Sequence, residues 1–285
     1  MPDLPRGYVR ARIASRRDCT PDLAVFHLEP ETPLAFRPGQ YLTLALPDAD
    51  GRLVKRPYSI VSAPHESQIE LYVERVEGGA LTPALWDYHA GDYLLARERI
   101  VGQFLLEEDS SCHVFCATVT GIAPFCSMLR DHRHRLKRGE ARDHRFLVLL
   151  AASTPEDFGP YADEMRAFGQ EPWAEAVVTV SRPWDAPDWS DETGRVEDVL
   201  RKHLGDDEFC GPNATVYACG NPDMIANVRG VLRRAGFAPE QIREEEYFHA
   251  HEQPPETADP VAPAKPKRGP LPGTITLKTA PPPAE

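Results

Sequence analysis

The chain has 285 residues, 41% of them apolar and 27% charged, with a formal net charge of −12. This length accommodates one large or two ordinary domains, each with its own core. The acidic balance argues against nucleic-acid binding, which needs a basic face. No apolar run approaches the roughly 20 residues of a membrane span, and the opening "MPDLPRGYVRARIASRRD" lacks the apolar centre of a secretory signal, so a cytoplasmic protein is the default expectation.

In chain order, the first hundred residues read as all-β. The runs "YVRARIASRRD", "LAVFHLEP", "QYLTLALP", "YSIVSAP", "IELYVERV" and "DYLLARERI" alternate or are rich in β-branched residues, and Pro, Gly and Asp separate them. Short strands at this spacing predict a closed antiparallel barrel. One helical stretch, "LTPALWDYH", interrupts them.

Beyond the polar linker "EEDSS" (107–111) the pattern changes. "HVFCATV" predicts a strand followed by a helix from about Pro124 to Lys137. "RFLVLLAA", "EAVVTVSR" and "ATVYACG" repeat the pattern with the helices "PYADEMRAFG", 195–204 and "PDMIANVRGVLRRAG", and "IREEEYF" reads as a last strand. Alternation of this kind implies parallel βαβ units and a doubly wound sheet. The expected domains are 6–107, a β-barrel, and 112–248, an α/β unit, with a Pro-rich tail at 249–285. The tail has the composition of a disordered or polyproline segment. Its patch "TITLK" and its cations Lys265, Lys267 and Arg268 leave open an inert tail or a tether for a protein partner.

The six cysteines are Cys19, Cys112, Cys116, Cys126, Cys210 and Cys219, with no C-x-x-C pair. The spacing of Cys112, Cys116 and Cys126 around His113 and His132 matches no zinc or iron–sulfur pattern, so buried reduced thiols are expected and no metal.

In an open parallel sheet, ligands bind at the carboxyl ends of the strands. Three ends, "VTGIAP", "VSRP" and "CGNP", lead through Gly or Pro into helices, whose free N–H groups suit phosphates. In the barrel, "KRPYSIVS" places Arg56 and Tyr58 on one face of an extended segment, with Ser59 next to them. Arg clamps phosphate, Tyr stacks on a ring and Ser donates to a ring nitrogen or carbonyl. In "EGGALTPAL", Thr82 is either a helix N-cap or part of a pyrophosphate grip.

The set "FRPGQYLTL", "RPYSIVS", "GGALTPAL", "TGIAPF", "VSRP", "TGRV", "YACGNPDMI" and "EEEYF", in this order over residues 6–248, resembles the ferredoxin–NADP⁺ reductase family in its compact bacterial form. The resemblance implies FAD on a six-stranded antiparallel barrel and a nicotinamide nucleotide on the following α/β domain. By that resemblance Arg56 holds the FAD pyrophosphate within the segment containing Pro57, Tyr58 stacks on the isoalloxazine, and Ser59 bonds near N5. Gly79, Ala80, Leu81 and Thr82 also bind the pyrophosphate. Tyr72, Val73 and Arg75 belong to a strand passing the flavin and adenosine. On the sheet, Thr120 and Gly121 face the nucleotide diphosphate, and Cys219 and Gly220 lie beside the nicotinamide. Tyr247 or Phe248 covers the second face of the flavin, and Ser59, Cys219 and Phe248 are the expected catalytic group.

Two positions depart from the family pattern. Val119 stands where Gly is usual, and Ser153 where Arg is often found. Ser181, Arg182 and Arg195 are retained, and the resemblance makes them contacts of an adenosine 2′-phosphate, favouring NADP(H) over NAD(H). The expected function is transfer of electrons between NADP(H) and a separate carrier, ferredoxin or flavodoxin, by hydride transfer to flavin N5. The alternative is a flavin-bound redox sensor or electron-transfer subunit with a degenerate pyridine nucleotide site.

Overall fold

The computed structural model describes residues 4–48, 50–204, 209 and 211–247. Phe248, Cys210 and the Pro-rich tail lie outside the described residues.

The first sheet contains β1 (Tyr8–Thr20), β2 (Leu23–Pro30), β3 (Tyr41–Pro47), β4 (Leu53–Ser59), β5 (Ile69–Glu74) and β6 (Tyr93–Arg97). Its order is β4-β3-β6-β1-β2-β5, and each ladder is antiparallel. The period of two is visible in β1, where Val9, Ala11 and Ile13 point into the core between more exposed neighbours. The two edge strands meet at the bridge Ile60↔Leu71, which curls the sheet into a barrel. Leu81 and Leu85 plug the barrel core. The helix expected over "LTPALWDYH" is short: α1 spans Thr82–Leu85. Trp86 leaves it to bond Pro21 O through Nε1 at 2.9 Å, and the Arg16 guanidinium lies 4.9 Å from its ring.

The second sheet contains β7 (Cys112–Thr118), β8 (Arg145–Ala152), β9 (Ala174–Val180), β10 (Glu192–Thr193), β11 (Ala214–Gly220) and β12 (Ile242–Glu246). All its ladders are parallel, in the order β10-β9-β8-β7-β11-β12. The central strands are buried almost throughout, as strands covered on both faces must be. Helices α2 (Ala123–Lys137) and α3 (Tyr161–Phe168) contribute to the apolar cluster on one face. Helices α4 (Val196–His203) and α5 (Pro222–Arg234) contribute to the cluster on the other. Cys116 and Cys126 fall in different clusters. The two-residue β10 has no counterpart among the expected strands, because "ET" is too short to show a period. Among the described residues, no helix is long and apolar enough to cross a membrane.

The two sheets do not bury wholly separate cores. The α2–α3 cluster also takes in Leu23, Val25, Val61 and Tyr72 of the barrel. Polar contacts cross the same seam. Ser127 Oγ donates to Ser62 O at 2.7 Å, and Tyr161 Oη donates to Glu70 Oε1 at 2.8 Å. Arg130 of α2 bonds Glu70 of β5 at 2.5 Å and Glu164 of α3 at 2.6 Å. This seam fixes the barrel against the carboxyl ends of the parallel strands.

Candidate functional site

On β4, Tyr58 lies opposite Leu42 and Arg56 opposite Leu44 in the β3 ladder. Alternation puts Arg56 and Tyr58 on one side of the strand, as the sequence suggests, and Ser59 on the other. Arg56 Nη1 donates to Lys55 O at 2.7 Å. Tyr58 packs against the barrel core, but its Oη is buried without a hydrogen-bond partner. Leaving such a group unpaired costs about 1–3 kcal/mol. A polar ligand lying along β4 would satisfy it, and a flavin cofactor with a polyhydroxyl chain and phosphates supplies such groups. These residues therefore fit FAD.

Two expectations for the barrel change once side chains are placed. Tyr72 does not point to the open side of β5. It is 4% exposed, its ring is 4.7 Å from that of Tyr161, and its Oη donates to Asp157 O at 2.8 Å. It is thus a seam residue. Val73 is buried in the barrel core, so both residues have only backbone left to offer a ligand. Arg75 is exposed at the end of the segment. Thr82 is not an N-cap either. Its Oγ1 accepts from Val76 N at 2.9 Å and closes the 76–82 loop. Gly79 is required there, because a Cβ would lie 2.9 Å from Val76 O. Leu81 faces the core and Ala80 is exposed, so this loop can grip a phosphate through backbone N–H groups only.

The barrel and the sheet meet at Ser59. Its Oγ donates to Glu245 Oε1 on β12 at 2.8 Å. Cys219 of β11 is in register with Glu245, and Gly220 O accepts from Tyr247 N at 3.0 Å. Ser59, Glu245, Cys219 and Tyr247 are therefore gathered at the carboxyl ends of β11 and β12. Burial pushes the Glu245 carboxyl up, partly offset by the Ser59 hydrogen bond. Burial also pushes up the Cys219 thiol, which stays neutral, and the Tyr247 phenol, whose Oη has no hydrogen-bond partner. Glu245 is absent from the residues singled out in the sequence. It sits in the run Glu244–Glu246, where the neighbours alternate outward and Glu244 pairs with Arg229 at 2.6 Å. The signal was alternation in a short acidic strand.

The strand order reverses between β7 and β11, which is the switch point where a ligand crevice opens. The turn after β7 is a tight helical turn, Val119–Ile122, leading into α2. It has no acidic residue and no side-chain cap, so its N-terminus suits an anion. The turn after β11 is different. Asn221 Oδ1 already accepts from Asp223 N at 2.9 Å and Met224 N at 3.2 Å, and Asp223 adds negative charge. "CGNP" is thus a capped helix start and a poor phosphate seat.

The glycines here serve the protein's own packing. A Cβ on Gly121 would fall 2.2 Å from Cys219 O, and one on Gly220 would fall 2.3 Å from Thr118 Oγ1. They let the two turns interlock, and Asn221 N donates to Thr118 Oγ1 at 3.0 Å across the join. Thr120 is buried. Val119 does not continue the strand. Its φ is +45°, and it is the only non-glycine residue with positive φ among the described residues. For a β-branched residue this costs about 1–3 kcal/mol.

At the far edge of the sheet, Thr193 of β10 is in register with Val180 of β9, and Gly194 N donates to Val180 O at 2.9 Å. This places Arg195 beside the Ser181–Arg182 turn. Both arginines are exposed, and Trp184, 74% exposed, follows two residues later. Ser181 Oγ donates to Ala152 O at 3.3 Å, and Ser153 O accepts from Arg182 N at 3.1 Å.

Residues 10–98 match the oxidoreductase FAD-binding domain family, and residues 115–230 match the oxidoreductase NAD-binding domain family. Over 223 residues the chain is 34% identical to ferredoxin–NADP reductase B of Sorangium cellulosum (strain So ce56), covering 74% of this chain and 85% of that protein. The chain belongs to the ferredoxin–NADP⁺ reductase family.

The phenol 2-monooxygenase reductase component of Pseudomonas sp. (strain CF600) is 28% identical over 249 residues, 86% of this chain. The chain spans 66% of that longer relative. The ferredoxin NADP⁺ reductase of Neisseria gonorrhoeae, solved with bound FAD and NADP, shares the fold with a TM-score of 0.74 at 24% identity, covering 86% of this chain and 100% of that one. In this ferredoxin–NADP⁺ reductase family member the first sheet is thus an FAD-binding domain and the second a nicotinamide-nucleotide-binding domain.

Proposed function

We propose that this chain is an FAD-dependent oxidoreductase that passes electrons between NADP(H) and a separate one-electron carrier, a ferredoxin or flavodoxin. The reading rests on the contact between Ser59 on the FAD domain and Glu245 on the nucleotide domain. It unites a hydroxyl donor, a buried carboxyl, a neutral thiol and an aromatic ring at the crevice where the two domains face each other. Bound FAD supplies hydride acceptance at N5 and one-electron release. The protein's part is to hold the rings and manage protons. Arg56 and the 79–82 loop hold the phosphates of FAD, and Tyr58 lies along the ring system. Ser59 presents its hydroxyl near N5, and Glu245 keeps that hydroxyl oriented. Cys219 gives the nicotinamide an uncharged wall, and Tyr247 shields a flavin face from water.

For the nucleotide, the turn 119–122 receives the diphosphate. Ser181, Arg182 and Arg195 receive a 2′-phosphate, and the exposed Trp184 indole offers a flat face to adenine. This is the ground for NADP(H) over NAD(H). Residues 249–285 are proposed as a tether to the electron acceptor. The same site would serve a reductase feeding an oxygenase, as the name of the phenol 2-monooxygenase relative describes for that protein.

Anaerobic titration of the purified flavoprotein with NADPH and with NADH tests the reading. Rapid bleaching of the flavin band by NADPH, and slow bleaching by NADH, is expected. Retained FAD with no bleaching by either would instead favour an electron-transfer subunit with a degenerate nucleotide site, a reading to which the strained Val119 lends support.

A further inference from the structure

Two hydroxyl bonds tie one short barrel segment to the elements on either side of the strand-order reversal. Ser59 Oγ donates to Glu245 Oε1 on β12 at 2.8 Å. Three residues on, Ser62 O accepts from Ser127 Oγ of α2 at 2.7 Å. β12 lies beside β11, and α2 follows β7, so the segment 59–62 is held to both flanks of the crevice. Ser127 is fully buried and Ser62 is 2% exposed. Ser127 is the fifth residue of α2, about 6 Å from the start of the helix at the usual rise per residue.

The barrel side of this bond is fixed as well. Ile60 N donates to Gln40 O at 3.1 Å, Val61 N to Glu70 O at 2.9 Å, and Glu70 N to Ser62 Oγ at 3.0 Å. The other polar links across the seam are of a different kind. Arg130 and Tyr161 both reach the carboxylate of Glu70, so those bonds join the tips of long side chains. Several torsions separate each backbone from such a bond, and the partners can follow a small shift without parting. A serine oxygen stands one torsion from its backbone, and here its acceptor is a main-chain carbonyl. This bond therefore fixes helix backbone to strand backbone with little slack.

We propose that Ser127 is a positioning residue for hydride transfer: its bond to Ser62 O sets the spacing between the crevice side of the nucleotide domain and the barrel strand that carries Ser59. The inference rests on the reading that a nicotinamide nucleotide binds in the crevice between β7 and β11. Ser127 touches neither cofactor in this role. It acts through the segment 59–62, while Arg130 and Tyr161 hold the domains together without setting their distance so tightly.

The test uses the FAD-loaded protein. Ser127→Ala removes the donor and puts a better helix former into α2, so the helix itself is kept. The limiting rate of anaerobic flavin reduction by NADPH is expected to fall about tenfold, because small misplacements of reacting groups are costly. The Kd for NADPH stays within about twofold. The long-wavelength absorbance of nicotinamide stacked on flavin weakens along with the rate. Ser127→Cys, similar in size with a weak donor, gives an intermediate loss and stands in if the alanine variant fails to fold. Tyr161→Phe is the control, since it removes a hydroxyl bond across the same seam but not this spacing, and its rate and absorbance should match the wild type. An unchanged rate in both Ser127 variants, or equal slowing in Tyr161→Phe, overturns the proposal. Amide exchange without nucleotide separates this from a failure of the nucleotide reading. The Ile60 and Val61 amides should exchange about fivefold faster in Ser127→Ala, the effect of one lost hydrogen bond. Faster exchange in a protein whose wild type NADPH does not reduce overturns the nucleotide reading, and the role in hydride transfer with it, while the backbone tie stands. Unchanged exchange with normal reduction overturns the Ser127 assignment alone.

Discussion

The Ser59 hydroxyl, at the end of a barrel strand, donates to the Glu245 carboxylate on the last strand of the parallel sheet at 2.8 Å. The two residues are 186 positions apart, and the bond ties the barrel sheet to the parallel sheet. A serine at this place can orient its hydroxyl only because a buried acceptor holds it.

Ser59→Ala should keep FAD and slow anaerobic flavin reduction by NADPH at least about tenfold, the effect of one lost hydrogen bond to a charged group. Glu245→Gln should keep the geometry and remove a pH dependence. Burial holds the Glu245 carboxyl above the ordinary carboxylate range, so its protonated form persists to higher pH than usual. The wild-type rate should therefore show an inflection above about pH 4.3. The glutamine variant should lack it in stopped-flow traces across pH 4.5–8.

Arg130 bolts the two domains. Its side chain is 13% exposed and it lies between Glu70, 10% exposed, and Glu164, 22% exposed. Arg130→Met leaves two largely buried carboxylates without their cation, at a cost of about 3–5 kcal/mol. A fall of that size in urea unfolding free energy is expected. A loss below about 1 kcal/mol would show that the pair is solvated and replaceable.

His113, His132 and His144 are buried together at the opposite end of the sheet from the crevice, and His113 Nε2 lies 3.0 Å from His144 Nδ1. Burial, with the neighbouring imidazoles, depresses His113 to about 3 and His132 to about 4. Glu108 faces His144 at 3.7 Å and Arg135 at 3.1 Å, so it is shared and does not neutralise the cluster. An unfolded histidine takes its proton near pH 6.5, before either folded one does. The stabilisation is thus complete above about pH 6.5 and is lost as pH falls from there toward 4 and 3, at up to about 1.4 kcal/mol per pH unit per histidine. His113→Phe, measured by urea midpoints at pH 7.5, 6 and 5, should flatten this acid limb.

Arg182→Ala and Arg195→Ala should each raise the KM for NADPH about tenfold, because each removes a charge-assisted phosphate contact. The KM for NADH, which has no 2′-phosphate, should stay within about twofold. Equal losses for both nucleotides would move these arginines off the 2′-phosphate and onto a group the two cofactors share.

Much of this was legible in one dimension. The alternation of Val9, Ala11 and Ile13 identifies a half-buried strand, and the continuous "RFLVLLAA" identifies a strand covered on both faces. Turn chemistry located the ends of the strands and the helix starts that follow them. Side-chain destinations were less legible. Tyr72 looks like a flavin contact in the strand "IELYVERV", but it crosses the seam to Asp157 O, which is 85 positions away. Thr82 has the residue type of an N-cap, but its hydroxyl belongs to Val76. Gly121 and Gly220 look like ligand glycines, yet each is pressed against the backbone of the other's turn.

Local rules therefore determined by themselves what kind of fold this is: an antiparallel barrel, then a parallel α/β sheet, with helices starting just after the strand ends. Periodicity and turn preference act over a few residues, so the sequence displays them directly. The tertiary structure alone decided which member of "EEE" turns inward. Register against β11 sets Glu245 beside Cys219, while Glu244 and Glu246 face Arg229. It alone also decided that a valine is held at φ +45°, because that value is imposed by two turns locking together across neighbouring strands. Contacts between distant segments have no period, and only the packed chain reveals them.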